Sequence, residues 1–135
     1  MDKKEIMAKV ENLPAVLAFI DEKLEMAGCS MKAQMQIDVA VEEIFVNIAS
    51  YAYEGKEGVA EIFFDIDSEK KAVITFVDGG VPYDPLKKAD PDVTLSADER
   101  QIGGLGIFMV KKTMDDMIYE YKDEKNRLTL VKKLG

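Results

Sequence analysis

A carboxylate and a carboxamide stand one helical turn apart near the middle of this chain. Glu43 and Asn47 are four positions apart within an apolar-rich stretch, residues 39–53. At 3.6 residues per turn, this spacing places both side chains on one face of a helix. A carboxylate suits a general base, and one amide oxygen can be the only protein ligand of a Mg²⁺ ion that keeps its waters and substrate phosphates. A solvated glutamate and a hydrogen-bonded asparagine also occur at this spacing by accident, so the pair alone leaves both interpretations open.

A second acidic side chain stands where a strand is expected to end. Asp78 follows the apolar run 71–77 and begins a turn with Gly79 and Gly80. A carboxylate at this place can accept a hydrogen bond from an amino group such as that of adenine, while the glycines let the backbone approach a flat ring. Because Asp-Gly pairs are common in ordinary turns, the segment alone is more typical of a plain turn.

Three glycines mark the expected start of a later helix. Gly103, Gly104 and Gly106 would expose backbone N–H groups at the positive end of the helix dipole, which favours an anion such as phosphate. A tight helix entry would also use glycine, and the pattern is neither the Walker A loop nor the dinucleotide-binding fingerprint. Taken together, however, the base and ligand pair, the acidic turn and the glycines occur in an order that one nucleotide could satisfy.

The elements that position the first of these groups follow from apolar periodicity. Alternation over residues 6–10 predicts a short first strand. A helix capped by Asn12 follows and ends at Gly28. Ser30 is expected to cap a second, longer helix, which carries Glu43 and Asn47 and runs to about residue 53.

The second half of the chain predicts two hairpins separated by a loop and a helix. Strands are expected at 59–67 and 71–77, and again at 117–122 and 127–134. Residues 83–102 are polar and lack a period, and loops of this length are usually functional, so we expect a lid over a ligand. The order of elements predicts an α+β two-layer sandwich, with helices on one face of a mixed, mostly antiparallel sheet.

Composition narrows the class of protein. The 135 residues are expected to form one domain, 1–135, and the net charge of −8 without a basic stripe argues against direct binding of nucleic acid. The charged N-terminus leads into no long apolar segment, so we expect a cytoplasmic protein without a membrane span. The chain has no histidine, which excludes a Ser-His-Asp triad, His-ligated zinc and histidine autophosphorylation within it.

Three motifs resemble a known superfamily. EEIFVN (42–47), DGGVPYDP (78–85) and GGLGIFMV (103–110) are similar to the N, G1 and G2 boxes of the GHKL ATPases, which have the Bergerat fold. The resemblance extends over nearly the whole chain, including the closing NRLTLVKKL. Within the superfamily, the second motif is most similar to the D-x-G-x-P-F-D-P form of the RsbW-like anti-sigma-factor serine kinases, with Tyr83 in place of Phe.

The resemblance implies a role for each matching residue. It makes Glu43 the general base, Asn47 the Mg²⁺ ligand and Asp78 the contact to the adenine amino group. The resemblance implies three further kinds of nucleotide contact. Gly80 would face the adenine ring, Gly104 and Gly106 would contact the phosphates, and the hydroxyl of Thr129 would contact adenine. Arg100, in the expected lid, is a further candidate for the γ-phosphate, although its distance from the glycines leaves that assignment open.

The resemblance also implies a regulatory function. A protein of this branch uses ATP and Mg²⁺ to phosphorylate a serine of an anti-anti-sigma (STAS-type) partner, and it binds and silences a sigma factor; two copies can form a homodimer. The alternative is a non-catalytic module in which ATP only shapes a protein-binding surface. Glu43 beside Asn47 favours catalysis, because a module that only binds has no need of a base there.

Overall fold

We describe the fold from a computed structural model, which describes residues 1–87 and 104–135. Its main elements, in chain order, are β1 (Asp2–Met7), α1 (Leu13–Met26), α2 (Met31–Asn47), β2 (Val59–Ile66), β3 (Lys71–Asp78), α3 (Gly104–Thr113), β4 (Asp116–Lys122) and β5 (Lys125–Lys133). A π-helical turn, Ile48–Ala52, continues α2, and short 3₁₀ turns lie at Val10–Asn12 and Pro85–Lys87. Within the described ranges, no helix combines the length and the apolarity that a membrane span requires.

The strands form one sheet in the order β1-β2-β3-β5-β4. Every neighbouring pair in this sheet is antiparallel. The predicted α+β sandwich is therefore confirmed, and among the described strands the sheet has no parallel pair. The central strand β3 ends at Asp78, directly opposite Asn126 of β5.

One face of the sheet packs on the helices. From Lys71 to Phe76, partly buried and fully buried residues of β3 alternate. The buried ones, Ala72, Ile74 and Phe76, belong to the same cluster as the apolar stripes of the helices. On α2, that stripe consists of Ile37, Val41, Ile44, Phe45 and Ile48, as its spacing predicts. Burying each large aliphatic or aromatic side chain contributes about 1.5–3 kcal/mol, so this packing holds α2 firmly against the sheet.

The N-terminal strand differs from its prediction. β1 occupies Asp2–Met7, so it begins four residues before the alternating stretch 6–10 and shares only residues 6 and 7 with it. The strand forms at the sheet edge by pairing with β2, and the ion pair between Lys3 and Glu61, 2.7 Å long, joins the two strands. Polar residues suit an exposed edge, so apolar alternation does not mark this strand.

The two predicted helix caps have different outcomes. Ser30 caps α2 as expected, because its hydroxyl accepts a hydrogen bond from the amide of Ala33 at 3.1 Å. Asn12 makes no capping bond to α1; its side-chain amide donates instead to the carbonyl of Met7 at 3.0 Å. Asn12 thus ties the start of α1 to the end of β1.

Tyr53 connects the end of the second helix to the sheet. Its hydroxyl donates to the carbonyl of Val59 at 2.6 Å and accepts from the amide of Gly79 at 2.8 Å. Its ring lies against Gly58, where there is no room for a Cβ atom. The π-helical turn is therefore fixed against the turn that follows Asp78.

The predicted lid is described only at its beginning. Pro85–Lys87 form a 3₁₀ turn, preceded by Asp84, whose carboxylate accepts from the amide of Leu86 at 2.8 Å. Residues 88–103 lie outside the described ranges. The rest of the expected lid, with Arg100, and Gly103 fall in that segment and stay predictions.

Candidate active site

A cavity of about 390 Å³ lies between α2 with its π-helical turn, the end of β3, β5 and α3. Its wall is mainly apolar, formed by Ile44, Ile48, Ala52, Phe76, Ile107 and Leu128, together with the aromatic residues Tyr51, Tyr83 and Tyr119. Three residues with amide or carboxylate groups also line it: Asn47, Asp78 and Asn126. Pockets of about 300–1,000 Å³ with an apolar wall and a few convergent polar groups are typical small-molecule sites.

Glu43 and Asn47 lie beside this cavity on the same face of α2. The amide of Asn47 donates to Oε1 of Glu43 at 3.4 Å, and both side chains are half-buried. Since the Asn47 nitrogen faces Glu43, its oxygen remains for a ligand, and it accepts no hydrogen bond from residues 1–87 or 104–135. A hard cation such as Mg²⁺ prefers an oxygen ligand of this kind.

Glu43 also touches the first turn of α3. Its carboxylate occupies the space in which a side chain at Gly106 would begin. α3 begins at Gly104, and Ile107, one residue after Gly106, lines the cavity. The structure therefore brings Glu43, Asn47 and the N-terminal turn of α3 to the same end of the cavity.

Asp78 is the buried carboxylate of the site, with 6% of its surface exposed. Its Oδ1 accepts from the amide of Gly80 at 2.9 Å and from the side-chain amide of Asn126 at 3.0 Å. Burial raises the pKa of the Asp78 carboxyl, and the two hydrogen bonds oppose this effect. No described residue donates a hydrogen bond to Oδ2, so this oxygen remains as an acceptor for a ligand.

Gly80 is held against the π-helical turn. A Cβ atom at this position would overlap the backbone carbonyl of Ala52, which accepts a hydrogen bond from the amide of Val81 at 2.9 Å. Close approach of two backbone segments thus requires glycine here. Gly80 does not line the cavity, whereas the next residues Val81 and Pro82 do.

Thr129 lies on the face of the sheet away from the cavity. Its hydroxyl lies 3.0 Å from that of Thr75, on the sheet face opposite to Asn126 and Leu128. Successive side chains of a strand point to opposite faces, so Thr129 and Asn126, three positions apart, cannot share one. Thr129 therefore points away from the cavity, and its predicted contact with adenine is wrong.

Asn126 and Tyr119 line the cavity but lie outside the three motifs. Asn126 precedes Leu128 and Leu130 at a spacing of two, and all three are buried. This alternation is visible in the sequence and could have placed Asn126 on the inner face. Which strand β5 pairs with was not visible, and that pairing is what sets Asn126 opposite Asp78.

The fold and the site together define an ATPase domain with the Bergerat arrangement. The chain belongs to the histidine kinase-like ATPase domain family, whose family model matches residues 6–132.

Curated relatives of the chain are named as protein kinases. It is 26% identical over 101 residues to the serine/threonine-protein kinase BtrW of Bordetella bronchiseptica, covering 75% of this chain and 71% of that protein. It is 30% identical over 102 residues to the serine-protein kinase RsbW of Listeria innocua, covering 72% and 64%. The RsbW of Staphylococcus aureus is 26% identical over 132 residues, covering 94% and 82%. Kinase activity is thus a property of named family members.

Solved structures share the fold. The RsbU and RsbW domains of Rv1364c from Mycobacterium tuberculosis superpose with a TM-score of 0.63 at 15% identity, covering 99% of this chain and 33% of that one. The histidine kinase domain of the EL346 blue-light activated histidine kinase of Erythrobacter litoralis gives a TM-score of 0.56 at 14% identity, covering 90% and 61%. Our chain therefore corresponds to one part of each of these longer chains.

Proposed function

We propose that this protein is an ATP-dependent serine kinase that phosphorylates an anti-anti-sigma (STAS-type) partner and sequesters a sigma factor. The observation that carries the proposal is the position of the Glu43 carboxylate, which touches the first turn of α3 and accepts from Asn47. A general base at this position lies beside the N-terminus of α3, and a helix N-terminus favours the binding of phosphate groups. The kinase names of the relatives support the same activity.

The cavity would hold the adenosine part of ATP. A purine would lie among the apolar side chains, with its amino group donating to Oδ2 of Asp78. Oδ1 of the same carboxylate is already engaged by Gly80 and Asn126. A nucleobase without a hydrogen-bond donor at this position would leave the buried Asp78 carboxylate unpaired, which disfavours the binding of that nucleobase.

The phosphates would extend toward Gly104 and Gly106. The residues present fit a Mg²⁺ ion, because the oxygen of Asn47, which accepts no hydrogen bond from the described residues, is a suitable single ligand and the phosphates and waters complete the shell of such an ion. When bound, the ion neutralises negative charge on the phosphates. Among the described residues there is no cluster of three acidic, histidine or cysteine side chains that would hold a metal without the nucleotide.

The reaction would be an in-line phosphoryl transfer. Glu43 would accept the proton of the partner's serine hydroxyl as the serine oxygen bonds to the γ-phosphorus. The bond from that phosphorus to the oxygen bridging to the β-phosphate breaks, and ADP leaves. Such transfers depend mainly on positioning and charge stabilisation, and the base adds about 10²–10⁴-fold.

The test is the intact mass of an anti-anti-sigma protein, taken from the genomic neighbourhood, after incubation with this protein and Mg-ATP. We expect the partner to gain one phosphate with the wild type. Glu43→Ala should slow the gain about 10²–10⁴-fold while ATP still binds, because only the base is lost. Glu42→Gln, at an exposed position on the same helix, is the matched control and should act as the wild type does.

The same experiment distinguishes the binding-only alternative. If ATP and the partner both bind and the wild type transfers no phosphate, the site serves as a nucleotide-gated binding module. Equal transfer by wild type and Glu43→Ala would contradict the role of Glu43 as the base. The proposal places the protein in the cytoplasm, without contact to nucleic acid or membrane, and includes a homodimer, as the family resemblance implies.

A further inference from the structure

Asn126 is at the centre of a hydrogen-bonded group beside the cavity. Only 6% of its surface is exposed. Its side-chain nitrogen donates to Oδ1 of Asp78 at 3.0 Å and to the carbonyl of Val81 at 2.9 Å. Its side-chain oxygen accepts from the amide of Tyr83 at 3.1 Å and from the hydroxyl of Tyr119. The group therefore joins β3, the turn after it, β4 and β5.

These contacts use the full bonding capacity of the side chain. A carboxamide has two N–H donors and one oxygen that accepts two hydrogen bonds. Asn126 uses both donors and both acceptor positions within the protein. It therefore has no bond left for a ligand, and any effect on a nucleotide must pass through a neighbour.

The two donors on the oxygen side also fix the orientation of the amide. If the amide were rotated by half a turn, its oxygen would face the carboxylate of Asp78 and its nitrogen would face the donors of Tyr83 and Tyr119. Both arrangements are repulsive, and unpaired buried polar groups are costly. Tyr119 and Tyr83 thus hold the nitrogen of Asn126 toward Asp78.

We infer that Asn126, oriented by Tyr119, is a positioning residue that directs Asp78 toward the amino group of a 6-aminopurine and so sets base selectivity. The inference rests on the proposed binding of ATP in this cavity. Asn126 and Gly80 together occupy Oδ1 of Asp78, so that Oδ2 is the oxygen left for the base. Without Asn126, the carboxylate could turn, and its preference for a base with an amino group would fall.

The test compares two nucleotides that differ only in that amino group. Equilibrium dissociation constants are measured by calorimetry for Mg-ATP and for the Mg²⁺ complex of purine riboside triphosphate, which lacks the 6-amino group. The wild type should prefer ATP by about 10-fold or more, as expected for a hydrogen bond to a charged acceptor. The ratio of the two constants is the readout, because general loss of structure weakens both nucleotides and leaves their ratio unchanged.

Two variants address the group from its two ends. Asn126→Asp keeps the shape of the side chain but places a second carboxylate beside Asp78, so the preference for ATP should fall to about 1-fold. Tyr119→Phe keeps the ring and removes only the hydroxyl donor to Asn126, and the preference should fall by about 2-fold or more. Tyr119→Phe also provides a test if Asn126→Asp does not fold.

Thr75→Val is the matched control. It removes a hydroxyl from the same sheet, but on the face away from the cavity, where the partner is Thr129. The preference for ATP should stay at the wild-type value.

Three results would overturn the inference. An unchanged ratio in both Asn126→Asp and Tyr119→Phe, with ATP still bound by the wild type, would overturn it alone. A wild type that binds both nucleotides equally would show that Asp78 does not select the amino group. A wild type that binds neither nucleotide would overturn the proposed function and this inference with it.

Discussion

Glu43 and Gly106 touch across the two helices that flank the cavity. The contact explains the glycine, because the carboxylate fills the space in which a side chain would begin. Glycine at the start of a helix can expose N–H groups to an anion, allow a tight backbone turn, or leave space for a neighbouring side chain. The sequence alone could not distinguish these three uses. In this protein, the close neighbour is the residue that we propose as the base.

Gly106→Ala should therefore impair catalysis more than stability. The new methyl group overlaps only the far end of a flexible side chain, which can move away, so the fold should persist. Moving the carboxylate should slow phosphoryl transfer about 10²-fold, toward the effect of losing a general base.

The measurement is the initial rate of phosphate gain by the partner, taken together with the thermal midpoint of the variant. Met109→Ala, at an exposed position of the same helix, is the control and should leave the rate unchanged. A Gly106→Ala protein with the wild-type rate would contradict the placement of Glu43 as the base.

Candidate residues could be chosen from the sequence where residue type and local spacing suggest a role. Glu43, Asn47 and Asp78 were chosen from residue type and spacing, and the structure places all three at one cavity or its margin, where their roles stay predictions. Thr129 was chosen from its type, but the two-residue period of a strand places it on the other face. The side chain beside Asp78 belongs to Asn126, which the sequence analysis had not proposed as a site residue.

Two elements meet where the turn after β3 crosses the π-helical turn Ile48–Ala52. The amide of Val81 donates to the carbonyl of Ala52, and Gly80 leaves no room for a side chain. Helicity of α2 to about residue 53 was predicted, but the π-helical form of its last turn was not, since it depends on packing against a distant turn. π-helical turns are frequent at functional sites.

Gly80→Ala and Gly79→Ala should therefore differ although the two glycines are neighbours. A methyl group at position 80 meets the backbone of Ala52, which cannot easily move, so stability should fall by about 1–3 kcal/mol. Gly79 is exposed, and a Cβ there meets only the Tyr53 hydroxyl at an ordinary 3.7 Å, so stability should change by about 0.5 kcal/mol or less. Denaturant unfolding measures both, and equal losses would contradict this account of Gly80.

The packing of α1 on α2 contains an acidic contact. Asp38 of α2 lies near Asp21 and Glu25 of α1, and burial, followed by the interaction with Asp21, raises the pKa of Asp38 to about 7. Asp38 has a buried oxygen without a hydrogen-bond partner among the described residues. Ionisation of Asp38 should therefore weaken the packing of these helices.

The raised pKa of Asp38 sets the sign of the pH dependence of folding stability. The folded protein holds the Asp38 proton more tightly than the unfolded chain, whose carboxyl keeps its ordinary pKa of 3.8. The contribution of this group to stability is full below about pH 4 and is lost as the pH rises to about 7.

Asp38→Asn should remove this loss. We expect its denaturation midpoint to exceed that of the wild type at pH 8, with the difference shrinking as the pH is lowered toward 4. Glu42→Gln, an exposed carboxylate on the same helix, should leave the pH profile unchanged. A wild-type profile that rises from pH 5 to pH 8, with no gain in Asp38→Asn, would contradict the assignment.

On the scale of the whole molecule, the described residues of the three motifs, 42–47, 78–85 and 104–110, belong to different elements that the fold brings around one cavity. Their local patterns predicted the elements, because each has a period or a turn that depends on neighbours in sequence. Sheet order and strand register depend on contacts between distant segments, and these set Asn126 against Asp78 and formed the polar edge strand β1. The sequence therefore predicted the fold class and offered Glu43, Asn47 and Asp78 as site residues, whose roles stay predictions, but it did not indicate the residues that support Asp78.

The central claim is that this cavity binds an adenine nucleotide through Asp78. The most direct measurement is calorimetric titration of the full chain with Mg-ATP, run in parallel on wild type and Asp78→Asn. Asp65→Asn, an exposed carboxylate on β2, is the control and should bind as the wild type does. We predict binding by the wild type and a loss of about 10-fold or more in affinity for Asp78→Asn, because its amide would present a donor to the amino group. No binding by the wild type, or equal affinity of wild type and Asp78→Asn, would contradict the account.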